Sequence, residues 1–181
     1  MTDLVKLSKF LSLILRHKPK NFGLVMDSEG FTDLEVVWER ICKRHGNRYS
    51  RDDLQQLLEE HPAGKQRFEA KDGRIRARYG HSVVEVQYPS VEPPEILYHG
   101  TTPQALQTIR KQGLTSQKRQ FVHLSTSTKR ATNVASRHGQ PITLKIRALA
   151  AHNAGHIFHH PEPQHYLVKS LPPDFIVLDD V

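Results

Sequence analysis

Cysteine is almost missing from this chain. Among 181 residues there is one, Cys42, so no internal disulfide can form and a reducing cytoplasm is the natural compartment. The thiol falls within a predicted helix (Val36 to Lys43) and is expected as a small core residue rather than a nucleophile. Long apolar runs are missing too: none reaches the 18 or more residues of a membrane span, which excludes a transmembrane helix, and no membrane partner is expected. The N-terminus, Met1-Thr2-Asp3-Leu4, starts acidic and then turns amphipathic, so it does not read as a signal peptide. No G-x-G-x-x-G follows a strand pattern and no G-x-x-x-x-G-K-[ST] occurs, so neither a Rossmann site nor a P-loop is supported. His152 and His156 have the i, i+4 spacing of zinc ligands. Gly155, Pro161 and Pro163 argue against a regular helix there, and no cysteine assists, so no metal is expected and 152–165 reads as an irregular surface loop.

Acidic residues are scarce in the second half. Residues 95–181 carry 10 Lys+Arg against 5 Asp+Glu, whereas residues 1–94 carry 16 against 14. The whole chain has a net charge of +7, which suits a nucleic-acid or other phosphate-rich partner without specifying one. Between 65 and 78 lie Lys65, Arg67, Lys71, Arg74, Arg76 and Arg78, with only Glu69 and Asp72 to balance them. A solvated hairpin face explains such a run as well as a binding surface does. With 37% hydrophobic and 25% charged residues, a folded chain is expected.

The periodicities change part-way along the chain. Leu4, Leu7, Leu11, Ile14 and Leu15 have helical spacing over 3–16, stopped by Pro19. A second helix is expected from Thr32, with Glu35 completing a capping box, and a third from Ser50. Asp72-Gly73 between two apolar-alternating segments is a strong hairpin signal. Three helices and a two-stranded wing suggest a winged-helix module over residues 1–80, an arrangement common in nucleic-acid-binding domains. The proline-bearing 81–94 reads as a linker. Residues 95–181 alternate short strands with helices: a strand at Glu95 to His99, a helix from Thr102-Pro103 to Gly113, a strand at Phe121 to Ser125, and a helix from about Thr128 to Arg137 closed by Gly139. Further strands are expected at Ile142–Ile146, Tyr166–Val168 and Phe175–Leu178. The fold class is α+β, with a strand-rich second domain.

Leu15-Arg16-His17-Lys18-Pro19 sets a guanidinium, an imidazole and an ammonium where the first helix must stop. Arginine presents a rigid fork of donors that matches phosphate oxygens, so the cluster suits a phosphate dianion. Because a helix C-terminus repels anions, binding there must come from the side chains. In the second half, Tyr98-His99-Gly100-Thr101 and His123-Leu124-Ser125 each place a histidine on a strand, ahead of a glycine or small hydroxyl residues. Glycine lets backbone approach a ligand, and hydroxyls with amides near a helix start suit a pyrophosphate. Taken singly, each histidine reads as a satisfied core residue; together they point toward a nucleotide site.

Five segments, in their order and spacing, resemble the RNA 2′-phosphotransferase family of the KptA type: residues 7–19, Ile75-Arg76-Ala77 with Gly80-His81-Ser82, residues 98–101, Val122-His123-Leu124-Ser125, and Ser136-Arg137-His138-Gly139. The resemblance covers nearly the whole chain. It implies an N-terminal winged-helix RNA lobe and a C-terminal ADP-ribosyltransferase-like lobe that binds NAD. It implies a catalytic tetrad on Arg16, His17, Arg76 and Arg137. The cofactor-binding stretches would be His99-Gly100-Thr101 and His123-Leu124-Ser125, with NAD consumed as co-substrate and no metal. A third signature position, a small apolar residue in the family, aligns with His165 or a neighbour by its spacing from Pro172-Pro173. The implied activity is removal of an RNA 2′-phosphate, as at a tRNA splice junction, through an ADP-ribosylated phosphate. Its products would be 2′-hydroxyl RNA, ADP-ribose 1″,2″-cyclic phosphate and nicotinamide. The expected partner is RNA carrying a 2′-phosphate, and the expected state is a cytoplasmic monomer.

Residues 163–170 contain no acid, whereas many protein-modifying ADP-ribosyltransferases use a glutamate on a late strand. Two alternatives stay open at this point. One is an ADP-ribosyltransferase acting on terminal phosphates of RNA or DNA. The other is a non-catalytic winged-helix RNA-binding protein, which would be expected to have lost the His99, His123 and Arg137 motifs that this chain keeps.

Overall fold

The computed structural model describes residues 4–59, 66–137 and 139–178; Lys65 and His138, both named above, lie outside them. Helix and sheet are mixed, and the chain divides into two compact units between Gln87 and Tyr88. That boundary falls inside the expected linker, whose two sides are packed into different units. His81 and Val86 are buried and Gln87 N–H donates to the Ser28 carbonyl, whereas Val91 N–H donates to the carbonyl of Phe158.

The first unit starts with α1 (Leu4–Ser12), which buries Leu7, Phe10 and Leu11. A regular helix was expected to continue to Arg16. Instead Leu13–His17 forms a wider π turn, closed by Lys18 N–H on the Leu13 carbonyl at 2.9 Å. The wider turn turns three consecutive side chains inward, Ile14, Leu15 and Arg16, which an ordinary amphipathic stripe would not do. Thr32 does not cap the next helix. It lies in β1 (Thr32–Asp33), paired with Ile75, and Asp33 caps α2 (Leu34–His45) by accepting from Val36 N–H at 2.9 Å. Long-range pairing has overridden the local capping-box signal.

Ser50 and Asp53 form a reciprocal cap at the start of α3 (Arg51–Glu59). The expected hairpin is present as β2 (Phe68–Lys71) and β3 (Arg74–Ala77), turned at Asp72 and Gly73, both with positive φ (50° and 71°). The sheet order is β1-β3-β2. One core joins Leu7, Leu11, Ile14, Leu15, Val37, Ile41, Leu57, Phe68 and Ile75. Cys42 is half-buried on α2 with a free thiol.

The second unit is built on β4 (Ile96–Thr101), α4 (Pro103–Gln112), β5 (Leu114–Thr115), β6 (Val122–Ser125), α5 (Thr128–Ala135), β7 (Ile142–Arg147), α6 (Ala148–Asn153), β8 (Phe158–Glu162), β9 (His165–Val168), β10 (Ser170–Leu171) and β11 (Ile176–Val177). Six strands form an antiparallel sheet in the order β11-β7-β4-β6-β9-β8, and β10 pairs with β5. Leu97, Leu124, Leu144, Ile146, Phe158 and Val168 fill its core. The segment expected as an irregular loop at 152–165 instead ends a helix and forms a β-hairpin. The pairing steps from His159↔Leu167 to Glu162↔His165, so β8 carries one extra residue in a bulge. Of its histidines, His156 meets the Phe175 ring edge-on and His160 stacks on Tyr166. Helix α5 ends at Ala135, two residues before the expected end at Arg137. Among the described residues no helix is long and apolar enough to cross a membrane.

Candidate active site

In the first unit the π turn delivers Arg16 to the interior, with only 8% of its surface exposed. Its guanidinium carbon lies 5.0 Å from the Tyr79 ring centroid and 5.7 Å from that of Phe68, so two aromatic rings hold it flat. Its Nη2 also donates to the Arg67 carbonyl at 3.4 Å. His17 follows, exposed, with Nδ1 2.9 Å from Ser82 Oγ. The Ser82 hydroxyl also lies 3.4 Å from the Arg16 carbonyl. Ser82 N–H binds the same carbonyl at 3.0 Å, which ties Gly80-His81-Ser82 to the π turn.

Arg76 projects from β3 over the Phe31 ring at 4.4 Å. Its Nε and Nη2 both donate to Glu69 Oε2, at 3.0 and 2.8 Å, and its Nη1 donates to the Glu29 carbonyl at 3.0 Å. The flanking guanidinium of Arg74 pairs with Asp27 at 2.8 Å, so the basic face of the hairpin is partly neutralised.

Arg16, His17 and Arg76 converge electrostatically on one residue that sequence reasoning quoted but gave no role. His81 is buried, and its pKa falls to about 4, first through desolvation and then through the charges of Arg16, Arg76 and His17. It is therefore neutral at pH 7, within reach of these charges. The Gly-His-Ser run was the signal that could have found it.

In the second unit, His99 and His123 stand on the adjacent strands β4 and β6. His99 Nδ1 lies 3.0 Å from the His123 carbonyl, so that nitrogen carries the hydrogen. Burial lowers the His99 pKa, although the bond to the carbonyl pulls the other way. A neutral ring follows, with Nε2 as a lone-pair acceptor. Gly100 has a packing reason rather than the ligand-approach reason expected: a Cβ there would lie 2.1 Å from the Ala131 carbonyl oxygen of α5. Thr101 and Leu124 are buried. Ser125 Oγ accepts from Ser127 N–H at 3.1 Å, and Ser127 Oγ caps α5 through Arg130 N–H at 3.3 Å. The hydroxyls expected to meet a pyrophosphate thus serve the local backbone. Arg137 is exposed, in the irregular turn after α5.

Comparison with known proteins settles the family. The profile of the RNA 2′-phosphotransferase, Tpt1 / KptA family matches residues 2–170. The chain belongs to that family. It is 39% identical to a protein of Streptomyces griseus, with 96% of each chain covered, and 40% identical to one of Rhodopirellula baltica, with 96% of this chain and 95% of the other covered. A protein of Pseudomonas aeruginosa is 39% identical, with 93% of both chains covered. All three are named "Probable RNA 2'-phosphotransferase".

The stretch around His165, which the resemblance aligns with a third signature position, packs against His123. His165 on β9 lies in register with Ser125, and its ring stacks on that of His123 with centroids 4.9 Å apart. His165 Nε2 is 2.8 Å from His123 Nδ1. Behind it stands an acid, one position before the acid-free stretch 163–170. Glu162 is 5% exposed, ion-paired with Arg130, and its Oε1 is 3.3 Å from His165 Nδ1. Burial pushes the Glu162 carboxyl up, but His165 and Arg130 outweigh burial and hold it below the usual value. Among the described residues, no group of three or more His, Cys, Asp or Glu could hold a metal ion.

Proposed function

We propose that this protein removes an internal 2′-phosphate from RNA at the expense of NAD, through an ADP-ribosylated 2′-phosphate. The single observation that carries the reading is the gathering of Arg16, His17 and Arg76 around the buried His81: Ser82 binds the Arg16 carbonyl and His17 Nδ1, and Arg76 holds the Glu29 carbonyl beside Gly30, which borders the His81 ring. Such a set suits a phosphate dianion, because guanidinium and imidazole N–H groups donate to phosphate oxygens, and Arg16 and Arg76 are held flat by rings. The second unit fits NAD on the chemistry of its acceptors. Burial keeps His99 neutral with Nε2 as an acceptor, the partner that a ribose hydroxyl needs.

NAD supplies an anomeric carbon with nicotinamide as leaving group, and a neighbouring ribose hydroxyl that can later take the phosphate. This chain's residues do the rest. Arg16, His17 and Arg76 bind the RNA phosphate, orient one oxygen toward carbon, and then donate to the equatorial oxygens when displacement occurs at phosphorus. Arg137, carried by the second unit, is assigned to the ADP-ribosyl side of the reaction. The winged-helix reading of the first unit and the ADP-ribosyltransferase-like reading of the second belong to this proposal, as do a tRNA substrate, a cytoplasmic site of action and a monomeric state.

The test is incubation with NAD and an oligonucleotide carrying one internal 2′-phosphate. Loss of that phosphate with release of nicotinamide and a cyclic phosphate of ADP-ribose supports the proposal. Stable ADP-ribosylation of a terminal phosphate, with the internal one untouched, would replace it.

A further inference from the structure

We propose that Glu162 and His165 are positioning residues that lock His123 into the tautomer protonated at Nδ1, so that its Nε2 meets a ligand as a hydrogen-bond acceptor. The inference rests on the NAD reading, because the donor it would serve is a ribose hydroxyl.

The argument follows the hydrogens along one chain of groups. A neutral imidazole has one N–H and one lone pair, so fixing one nitrogen decides the other. Glu162 is buried and already paired with Arg130, so it is an ionised carboxylate. Its oxygen faces His165 Nδ1 at 3.3 Å, where a lone pair would be repelled and an N–H is favoured. His165 Nε2 is then the lone pair. It lies 2.8 Å from His123 Nδ1, which must donate. His123 Nε2 becomes the acceptor, and there an independent observation agrees. Arg119 Nη1 lies 3.3 Å from it, and a guanidinium can only donate, so Arg119 holds the lone pair that a ribose hydroxyl would take in its place. The polarity of every contact is consistent, from Arg119 through the His123–His165 hydrogen bond to the charge contact of His165 with Glu162.

The opposite arrangement fails. Were His165 to carry both hydrogens, its Nε2–H would donate to His123 Nδ1. His123 would then carry its hydrogen on Nε2, against the donor of Arg119. Arg130 also removes the need for a second cation, since it already neutralises Glu162. His165 is 6% exposed, and an additional buried charge would go unmatched.

His99 reaches the same state by a different route, with Nδ1 committed to the His123 carbonyl. Two neighbouring strands thus present two imidazoles in one protonation pattern. A small apolar residue in place of His165 could not impose that state.

The ring state is read directly by long-range ¹H–¹⁵N correlation on uniformly ¹⁵N-labelled full-length protein, with the His123 signals assigned by their loss in His123→Gln. In the wild type His123 should show hydrogen on Nδ1 and an unprotonated Nε2. In His165→Phe, which keeps a stacked ring, and in Glu162→Gln, the Nε2-protonated form should become substantial. Steady-state kinetics give the second readout. In His165→Phe the KM for NAD should rise about tenfold while kcat stays within about threefold, as for one lost neutral hydrogen bond to a bound ligand. His123 protonated at Nε2 in the wild type would overturn the proposal, as would an unchanged ring state in both variants or an unchanged KM. Wild-type protein that never consumes NAD would sink the function instead, and the ring spectra would still decide the lock.

Discussion

Acid should loosen the first unit through His81. In the unfolded chain this imidazole takes up a proton near its ordinary pKa of 6.5, whereas in the folded protein burial and the cations Arg16, Arg76 and His17 hold it at about 4. Between those values the unfolded state binds more protons, so the associated stability is complete above pH 6.5 and is lost as pH falls toward 4. With roughly 1.36 kcal/mol per pKa unit, the loss is about 1.4 kcal/mol at pH 5.5 and about 2.5 kcal/mol at pH 4.5. The chain's single tryptophan, Trp38, lies on α2 and reports this unit alone. Urea titrations followed by its fluorescence, at pH 7, 5.5 and 4.5, should be run on the wild type and on His81→Gln. Carboxylates titrate in both proteins and cancel in the difference. The wild type's advantage over the variant should shrink by about 2.5 kcal/mol between pH 7 and 4.5. A difference that stays constant across that range would refute the picture of a neutral histidine held among cations.

Arg76→Lys should reduce turnover nearly as much as Arg76→Ala, by about 100-fold or more, because an ammonium cannot hold Glu69, the Glu29 carbonyl, the Phe31 face and a phosphate together; NAD affinity, measured by calorimetry, should be largely retained. Arg137→Ala should slow loss of the phosphate more than release of nicotinamide, so that ADP-ribosylated RNA accumulates as a slower-migrating band in a single turnover; equal slowing of both steps would remove the division of labour. Activity should survive excess chelator, since arginine donors rather than metal ligands are assigned to the phosphate; loss with EDTA and recovery with zinc or magnesium would reverse that assignment. Gly100→Ala should lower stability by about 3 kcal/mol, because its methyl meets the Ala131 carbonyl at 2.1 Å, and a thermal melt unchanged from the wild type would show that α5 yields freely.

Local rules carried much of the reading. Asp72-Gly73, Thr102-Pro103 and Gly113 act within a few residues, and the hairpin and α4 follow them. Histidines His99 and His123 were legible on strands because their neighbours alternate. What escaped was set by distant partners. Thr32 has the chemistry of a cap but is drawn into a strand by Ile75. The stretch from Ala148 to Glu162 carries proline and several histidines and has no clean period, yet β9 gives β8 a partner and order follows. The role of His81 depends on charges brought from Arg16, His17 and Arg76, which no spacing reveals. The acid at Glu162 was invisible because a window cannot know that β8 folds back on β9.

The bulge in β8 lets that strand carry one more residue than its partner without parting Glu162 from His165. Forced into a regular register at its present length, the strand would continue from His159↔Leu167, set Pro161 opposite His165 and turn Glu162 to the other face of the sheet. A one-codon deletion at His160 or Pro161 would remove the extra residue and the bulge together, and the regular register would still set Glu162 opposite His165. For this hairpin the length of β8 can change by that one residue while the carboxylate keeps its imidazole.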